Sequence, residues 1–302
     1  MPTLTLLEHS PTLLTAVVFV IGLVVGSFLN VVIHRLPKML ERQWREQCEE
    51  LTVTELADSA SAAPEAPFNL VRPRSACPLC HAPIAARHNI PLLAWLWLRG
   101  RCAHCHGRIS LRYPLVELLT GLLSALVAWR FGYSITLLYA LVITWYLVAM
   151  ATIDLQHLLL PDILTLPLMW GGLLASLWAV PATGQYLPVE PRAALLGAIT
   201  GYLLLWTVYQ LFRLTTGKEG MGYGDFKLLA ALGAWMGWKM LLPIVLLSAL
   251  AGALVGIAMI VLKRRSLTHP IPFGPFLAAA GFMVMVWGPE AVTVYLGLFS
   301  IA

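Results

Sequence analysis

The feature that most constrains this chain is the repetition of long apolar stretches. A bilayer core about 30 Å thick is crossed by a helix of ~20 apolar residues. With 59% hydrophobic and only 12% charged residues among 302, the chain lacks the charged surface that a soluble globule of this length needs. We therefore predict an all-α polytopic membrane protein with about eight transmembrane helices, over residues 12–33, 113–130, 134–153, 162–180, 193–213, 226–239, 241–262 and 272–299.

Positive charge is distributed unevenly between the loops that join these helices. The polar segment 34–112 carries 11 of the 20 Lys and Arg residues. Because basic loops are retained in the cytoplasm, we place this segment there and the N-terminus outside. If the helices alternate, only Arg130, Arg192 and Lys239 lie outside, which leaves 17 basic residues inside. The net charge of +5 therefore reflects topology, and no nucleic-acid partner is expected.

The predicted spans divide the chain into three domains. Residues 1–33 form the first transmembrane helix, residues 34–112 a cytoplasmic insert, and residues 113–302 a membrane core of about seven helices. Within the insert, residues 41–65 hold seven acidic side chains and end in a stretch rich in Ala, Ser and Pro. That composition predicts a helix that extends from the membrane, followed by an acidic, solvated linker.

The second half of the insert contains two CxxC pairs, Cys77–Cys80 and Cys102–Cys105, separated by 21 residues. Four thiolates at this spacing can bind zinc tetrahedrally, as in a structural zinc ribbon, and the metal would supply folding free energy to a domain this small. His81 and His106 directly follow the pairs, so both also match the CxxCH pattern of c-type haem attachment. That attachment takes place outside the cytoplasmic membrane, whereas the charge bias places the insert inside. We therefore predict a zinc site made by the four cysteines.

Acidic side chains in or against a membrane are costly and are therefore candidates for function. Four qualify: Glu117, Asp154, Asp162 and Asp225. Asp154 ends the third span, and Asp225 precedes the sixth within Gly222-Tyr223-Gly224-Asp225, so both are expected at the cytoplasmic boundary. Two neighbouring carboxyl groups share a proton, so that one accepts a proton from water while the other donates to a scissile carbonyl. Gly222 and Gly224 would let a substrate chain approach closely.

Other interpretations of these acids remain open at this point. Asp225 can be a helix N-cap, Asp154 a solvated residue at a helix end, and Asp162 a capping residue of the fourth helix. Glu117 either pairs with a basic group such as Arg112 or shapes a polar cavity. If the two aspartates do form a pair, the dipole of each residue's own helix predicts that Asp154 is protonated and Asp225 ionised.

Several segments together match a known family. In chain order they are Gly26–Pro37, the two cysteine pairs, Arg112–Glu117, Asp154 with Leu159–Asp162, Gly222–Lys227 and Pro272–Phe276. The chain resembles the type IV prepilin peptidases, which are bifunctional leader peptidases and N-methyltransferases of Gram-negative bacteria. The resemblance extends over about residues 20–280.

This resemblance implies an aspartic endopeptidase of the bacterial inner membrane, with its active site at the cytoplasmic face. It would remove basic leaders from type IV prepilins and type II secretion pseudopilins, and then methylate the new N-terminal residue with S-adenosylmethionine. The implied residues are Asp154 and Asp225 as catalytic groups, Cys77, Cys80, Cys102 and Cys105 as zinc ligands, Gly100 for methyl transfer, and Glu117, Gly222 and Gly224 as supporting motif residues. Membrane lipid would surround the helices.

A transporter or channel with a zinc-ribbon regulatory insert is the alternative from another functional class. Such a protein is expected to bury acids near the bilayer midplane, with partners on both sides. Here, the charge pattern predicts that Asp154 and Asp225 share one face of the membrane.

Overall fold

The computed structural model describes residues 7–53, 68–178, 187–262 and 271–299. Within these ranges the regular structure is helical, and β-pairing is confined to two isolated antiparallel bridges, Ala76 with Pro83 and Arg101 with Arg108. The all-α prediction is confirmed. The acids at 55, 58 and 65 of the predicted linker lie outside the described residues, as do three consecutive basic residues at 263–265.

The described helices correspond closely to the predicted spans. They are α1 (Pro11–Val53), α2 (Leu93–Trp97), α3 (Arg112–Phe131), α4 (Ile135–His157), α5 (Asp162–Ser176), α6 (Pro191–Thr216), α7 (Tyr223–Met236), α8 (Leu241–Val261) and α9 (Gly274–Phe299). Every predicted span coincides with one of these helices, and only the short α2 was not expected. Five helices are long and apolar enough to cross a membrane: α1, α3, α4, α6 and the segment Trp238–Val261 that contains α8. The polytopic class is therefore confirmed.

Helix α1 is longer than the span from which it was predicted. It runs without a break for 43 residues, or ~64 Å, and contains Pro37. The predicted extension from the membrane is therefore a continuation of the first transmembrane helix. Its side chains beyond residue 40 are mostly exposed up to Glu49, as expected for a polar extension.

The chain separates into two compact units. The smaller unit comprises residues 18–122 and contains both cysteine pairs. The larger unit comprises residues 1–17 and 123–302 and contains Asp154 and Asp225.

The larger unit is organised around α7. Although α7 has only 14 residues, or ~21 Å of helix, nearly all of its side chains from Asp225 onward are buried. Gly197 of α6 meets Gly233 backbone to backbone, and no side chain would fit between them. From α5, the Leu168 carbonyl accepts a hydrogen bond of 2.8 Å from the Trp235 indole. Helix α7 is therefore a core helix, and its last turn packs closely against α5 and α6.

The end of α4 is set by local backbone chemistry. Leu158 adopts a left-handed conformation (φ 52°), and its N–H donates to the Asp154 carbonyl at 2.9 Å. This cap stops the helix one turn after Asp154 and directs the chain into Leu160 and Pro161. Asp154 is thus presented by the last turn of a membrane-length helix.

Candidate aspartate site and cysteine cluster

Asp154 is buried at the end of α4, with only 6% of its surface exposed. Its Oδ2 accepts a hydrogen bond of 3.0 Å from the backbone N–H of Gly274, the first residue of α9. The alternative interpretation of Asp154 as a solvated helix-end residue is therefore wrong. Its carboxyl group is built into the protein interior.

Asp225 is buried to the same degree in the first turn of α7, with 7% exposed. The N-cap of α7 is Gly222, and no side chain makes a capping hydrogen bond there. Asp225 is therefore not the N-cap, contrary to the alternative interpretation of this residue. Its Oδ1 has no hydrogen-bond partner among the described residues, although it is fully enclosed.

The fold brings the two aspartates together. Asp154 lies within electrostatic reach of Asp225. Leu160 packs against the chain beside both residues: a Cβ added at Gly224 would lie 2.5 Å from the Leu160 Cβ, and one added at Gly274 would lie 3.1 Å from its Cδ1. A side chain at either glycine would therefore press on Leu160.

Gly274 has a part in this site that the sequence did not reveal. A Cβ added there would also lie 2.6 Å from Asp154 Oδ2, so the hydrogen bond from its N–H depends on the absence of a side chain. The segment Pro272–Phe276 contributed to the family resemblance and lay at the start of a predicted span, but neither observation assigned a contact to Gly274. Because Gly274 follows Asp154 by 120 positions, nothing local identified the carboxyl group that its N–H would contact.

Asp162 forms an ion pair in place of the predicted cap. Both of its carboxylate oxygens accept hydrogen bonds from the Lys227 ammonium, at 2.6 and 2.7 Å. The N-cap of α5 is Pro161, and no side chain caps that helix. The capping prediction for Asp162 is therefore wrong. The ion pair instead connects the first residue of α5 with α7, two residues after Asp225.

The four predicted zinc ligands lie together in the smaller unit. The Sγ atoms of Cys77, Cys80, Cys102 and Cys105 all lie within 4.8 Å of one another, so the cluster could hold a metal ion. The Cys77 and Cys105 Sγ atoms are 3.8 Å apart. Tetrahedral zinc with Zn–S bonds of ~2.3 Å separates its ligands by ~3.8 Å, so the observed spacing fits. His81 and His106 are not part of this cluster.

The two cysteine loops have the same backbone structure. The Cys77 N–H donates to the Ala82 carbonyl at 3.0 Å, and the Cys102 N–H donates to the Gly107 carbonyl at 2.8 Å. The residue after each pair is left-handed, with φ of 56° at His81 and 55° at His106. The repeated CxxC sequence therefore encodes a repeated loop, and the two loops together could hold a metal ion.

Each loop favours the thiolate form of its first cysteine. Hydrogen bonds from the backbone N–H groups of Cys80 and Leu79 lower the pKa of Cys77 to about 6. Backbone N–H groups of Cys105 and His104 likewise lower the pKa of Cys102. Because the thiolate is the form that binds metals, the lowered pKa of Cys77 and Cys102 favours binding of a cation by these two residues.

Gly100 and Glu117 both support the short helix α2. Gly100 has φ of 67°, and a Cβ there would lie 2.9 Å from the Trp95 ring, so the space next to its Cα is filled. Glu117 accepts a hydrogen bond of 2.8 Å from the N–H of Leu92, the N-cap of α2. Neither of the alternatives considered for Glu117 named this partner, because α2 itself was not predicted.

Comparison with known proteins identifies two family matches. Residues 20–131 match the bacterial peptidase A24 N-terminal domain, and residues 141–257 match the type IV leader peptidase family. No solved structure matches the chain.

Three similar curated proteins are each named prepilin leader peptidase/N-methyltransferase. The protein of Aeromonas hydrophila is 53% identical over 289 residues, covering 96% of each chain. That of Aeromonas salmonicida is 52% identical over 286 residues, covering 95% of each, and that of Pseudomonas aeruginosa is 48% identical over 296 residues, covering 98% of each. The chain therefore belongs to the type IV leader peptidase family, which confirms the family that its motifs predicted.

Proposed function

We propose that the protein cleaves the leader peptides of type IV prepilins and pseudopilins and then methylates the new N-terminal amine. The observation that carries the peptidase activity is that two buried carboxyl groups from different helices, Asp154 and Asp225, lie within electrostatic reach of each other. The family membership supports the same reaction and the same substrates. It does not favour the alternative of a transporter or channel.

The hydrogen bonds suggest which aspartate carries the proton. Asp154 accepts an N–H bond from Gly274 at the N-terminus of α9, and both the bond and the helix dipole stabilise a carboxylate. Asp225 has an enclosed, unpartnered oxygen, which disfavours a charge there. We therefore assign Asp154 as ionised and Asp225 as protonated. This reverses our expectation from the sequence, which considered only the dipole of each residue's own helix.

In this assignment each carboxyl group has one role in the cleavage. Asp154 accepts a proton from a water molecule as the oxygen of that water attacks the scissile carbonyl carbon. Asp225 donates its proton to the carbonyl oxygen and so stabilises the tetrahedral intermediate. When the carbon–nitrogen bond breaks, the proton held by Asp154 passes to the leaving amine, and Asp225 recovers its own. The released amine is the group to be methylated.

This assignment predicts an asymmetry between isosteric variants. Wild-type cleavage should fall at low pH, when Asp154 gains a proton, and at high pH, when Asp225 loses one. Asp225→Asn keeps a neutral hydrogen-bond donor, so we expect residual cleavage. The rate of this residual cleavage should no longer fall at high pH. Asp154→Asn removes the base and should abolish cleavage. Residual activity in Asp154→Asn but not in Asp225→Asn would reverse the assignment.

The direct test is to incubate the purified protein with a prepilin and labelled S-adenosylmethionine. Asp154→Ala and Asp225→Ala should each reduce the cleavage rate by on the order of 10²–10⁴-fold. Glu190→Gln is a matched control, because Glu190 is an exposed acid of the same unit. This variant should cleave prepilin at the wild-type rate. Cleavage at the wild-type rate in both alanine variants would contradict the proposed mechanism.

We further propose that the metal in the cysteine cluster is zinc and that its role is structural. The sulfur spacing and the four-thiolate donor set both fit zinc. S-adenosylmethionine would supply the methyl group. Since Trp95 fills the space beside Gly100, we propose that Gly100 supports methyl transfer by shaping the insert rather than by touching the cofactor.

We also propose that the protein lies in the bacterial inner membrane among lipids, with residues 34–112 and both aspartates at the cytoplasmic side and the N-terminus in the periplasm. The division into domains 1–33, 34–112 and 113–302 follows from this topology. Cys48 is exposed on the extension of α1 and can report the sidedness. A membrane-impermeant maleimide should label it only after the inner membrane is permeabilised, with Cys48→Ser as the control. Labelling of Cys48 in intact spheroplasts would contradict this topology.

A further inference from the structure

We propose that α2 and the arginines around it form a docking surface for anionic phospholipid, which fastens the cysteine-containing insert to the membrane surface. We call this surface the α2 face; it consists of Leu93, Leu96 and Trp97, with Arg99 and Arg101 at its edge. The proposal concerns an interaction of the insert and does not depend on the proposed enzymatic function.

The α2 face is apolar and points outward. Leu93, Leu96 and Trp97 occur at positions i, i+3 and i+4 and so share one side of the helix, where they are 62%, 62% and 79% exposed. On the opposite side, Ala94 is buried and the Trp95 ring packs beside Gly100. A single helical turn thus exposes three large apolar side chains although its inner side is already packed. Such a patch marks a surface that contacts a partner or a membrane.

Two hydrogen bonds place α2 at the level where the membrane helices enter the bilayer. The Leu92 N–H, at the N-cap of α2, donates to Glu117 in the second turn of α3. One turn earlier, the Tyr113 carbonyl accepts a hydrogen bond of 3.0 Å from Asn30 of α1. Both α1 and α3 are long and apolar enough to span a membrane. The α2 face therefore lies beside the boundary at which α1 leaves the apolar region and α3 enters it.

The charge of the sequence around the α2 face identifies the partner. Residues 68–116 contain seven arginines and no lysine, aspartate or glutamate. Six of these arginines are exposed, at 72, 74, 87, 99, 101 and 108. Zinc held by four thiolates would offset only part of this positive charge. Each basic residue near an anionic leaflet contributes about 1 kcal/mol to its attraction, so the arginines favour an anionic lipid surface.

The residue types of the α2 face suit a bilayer interface better than a protein surface. A tryptophan ring is apolar but carries one N–H donor, and it is enriched at the level of lipid headgroups. An arginine can lay its methylenes on apolar surface while its guanidinium contacts phosphate. A basic peptide is disfavoured as the partner, because the same arginines would repel it.

Photo-crosslinking of the full-length protein tests this proposal. The protein would be assembled into nanodiscs of equimolar phosphatidylglycerol and phosphatidylethanolamine, with p-benzoylphenylalanine in place of Trp97. We expect adducts with the mass of a phospholipid, in which phosphatidylglycerol exceeds phosphatidylethanolamine by about fivefold, because of the arginines. Arg99→Gln combined with Arg101→Gln should lower this ratio while the lipid adducts persist.

Trp44 provides the matched control. It is also an exposed tryptophan (49%), but it lies on α1 14 residues beyond Asn30, or ~21 Å further along the helix. The crosslinker at this position should give no phospholipid adduct. Retention of bound zinc in each labelled protein shows that the insert is folded.

Three outcomes would overturn the proposal. One is an adduct from position 97 to a peptide of the same or a second chain, without phospholipid adducts. Another is phospholipid adducts in equal yield from positions 97 and 44. The third is a phosphatidylglycerol to phosphatidylethanolamine ratio of about one in the protein with both arginines.

Discussion

The cysteine cluster and the aspartate site differ in how far apart in sequence their parts lie. Each cysteine loop is closed by contacts within six residues, and the second loop repeats the first 25 positions later. The aspartate site combines Asp154, Leu160, Asp225 and Gly274, which come from the end of one helix, a turn and the starts of two other helices. The cluster is therefore formed by local backbone geometry, whereas the site exists only when four elements pack correctly.

This difference implies that the two regions lose their structure in different ways when they are perturbed. A cluster held by a metal loses its folding free energy all at once when the metal leaves. A site held by packing changes gradually, because each contact contributes a modest amount and α7 is fixed by several neighbours at once. Three predictions test this contrast.

The largest expected effect is that of metal loss on the smaller unit. Structural zinc sites bind with about 10–16 kcal/mol, so Cys77→Ser should release the metal and remove the amide hydrogen-exchange protection of residues 75–109. Protection of α5 and α7 in the larger unit should not change, since their contacts lie within that unit. Cys48→Ser is the control, because Cys48 is exposed and outside the cluster.

The contrast between the two regions would be broken if Cys77→Ser removed protection from α7 as well. Hydrogen exchange read by mass spectrometry, together with zinc quantification, distinguishes these results.

An intermediate effect is expected from Gly274→Ala. The added Cβ would lie 2.6 Å from Asp154 Oδ2 and would displace an N–H bond to a charged group, worth about 1.5–3 kcal/mol. The value of kcat/KM for prepilin cleavage should fall by about 10–100-fold. Gly252→Ala is the matched control, because its nearest neighbour, Phe276, would be 3.6 Å away. Equal activity of the two variants would show that Gly274 does not position Asp154.

The smallest effect is expected from the ion pair between Asp162 and Lys227. Because both side chains are partly exposed, the pair contributes about 0.2–1 kcal/mol, and Asp162→Asn or Lys227→Met should lower kcat by no more than about fivefold. The exchanged pair, Asp162→Lys with Lys227→Asp, should recover part of this loss, and Lys239→Met should have no effect. If the exchanged pair has a kcat no higher than the single variants, packing alone holds α5 against α7. That result would sharpen the contrast between a site held by packing and a cluster held by local geometry.

Sequence and structure agree where a feature depends on local sequence, and they disagree where it depends on contacts between helices. The helices that match the predicted spans could be predicted because an apolar stretch of sufficient length forms a helix in lipid whatever its neighbours are. The cysteine ligands could be predicted because their spacing is local. The interpretations of Asp154 as a solvated residue and of Asp162 and Asp225 as helix caps were wrong because each considered one helix alone. Helix α2 was missed because five residues between loops have no periodicity to detect.

The sequence by itself determined the membrane class, the order of the helices, the two cysteine loops and the family. All of these depend on residues close together in the chain or on the hydrophobicity of one segment. Only the tertiary structure decided that Gly274 donates to Asp154, that Lys227 pairs with Asp162, and that Glu117 holds the start of α2. These contacts join residues 25 to 120 positions apart. They depend on how closely helices approach, and that distance is set by packing at residues such as Gly224 and Leu160.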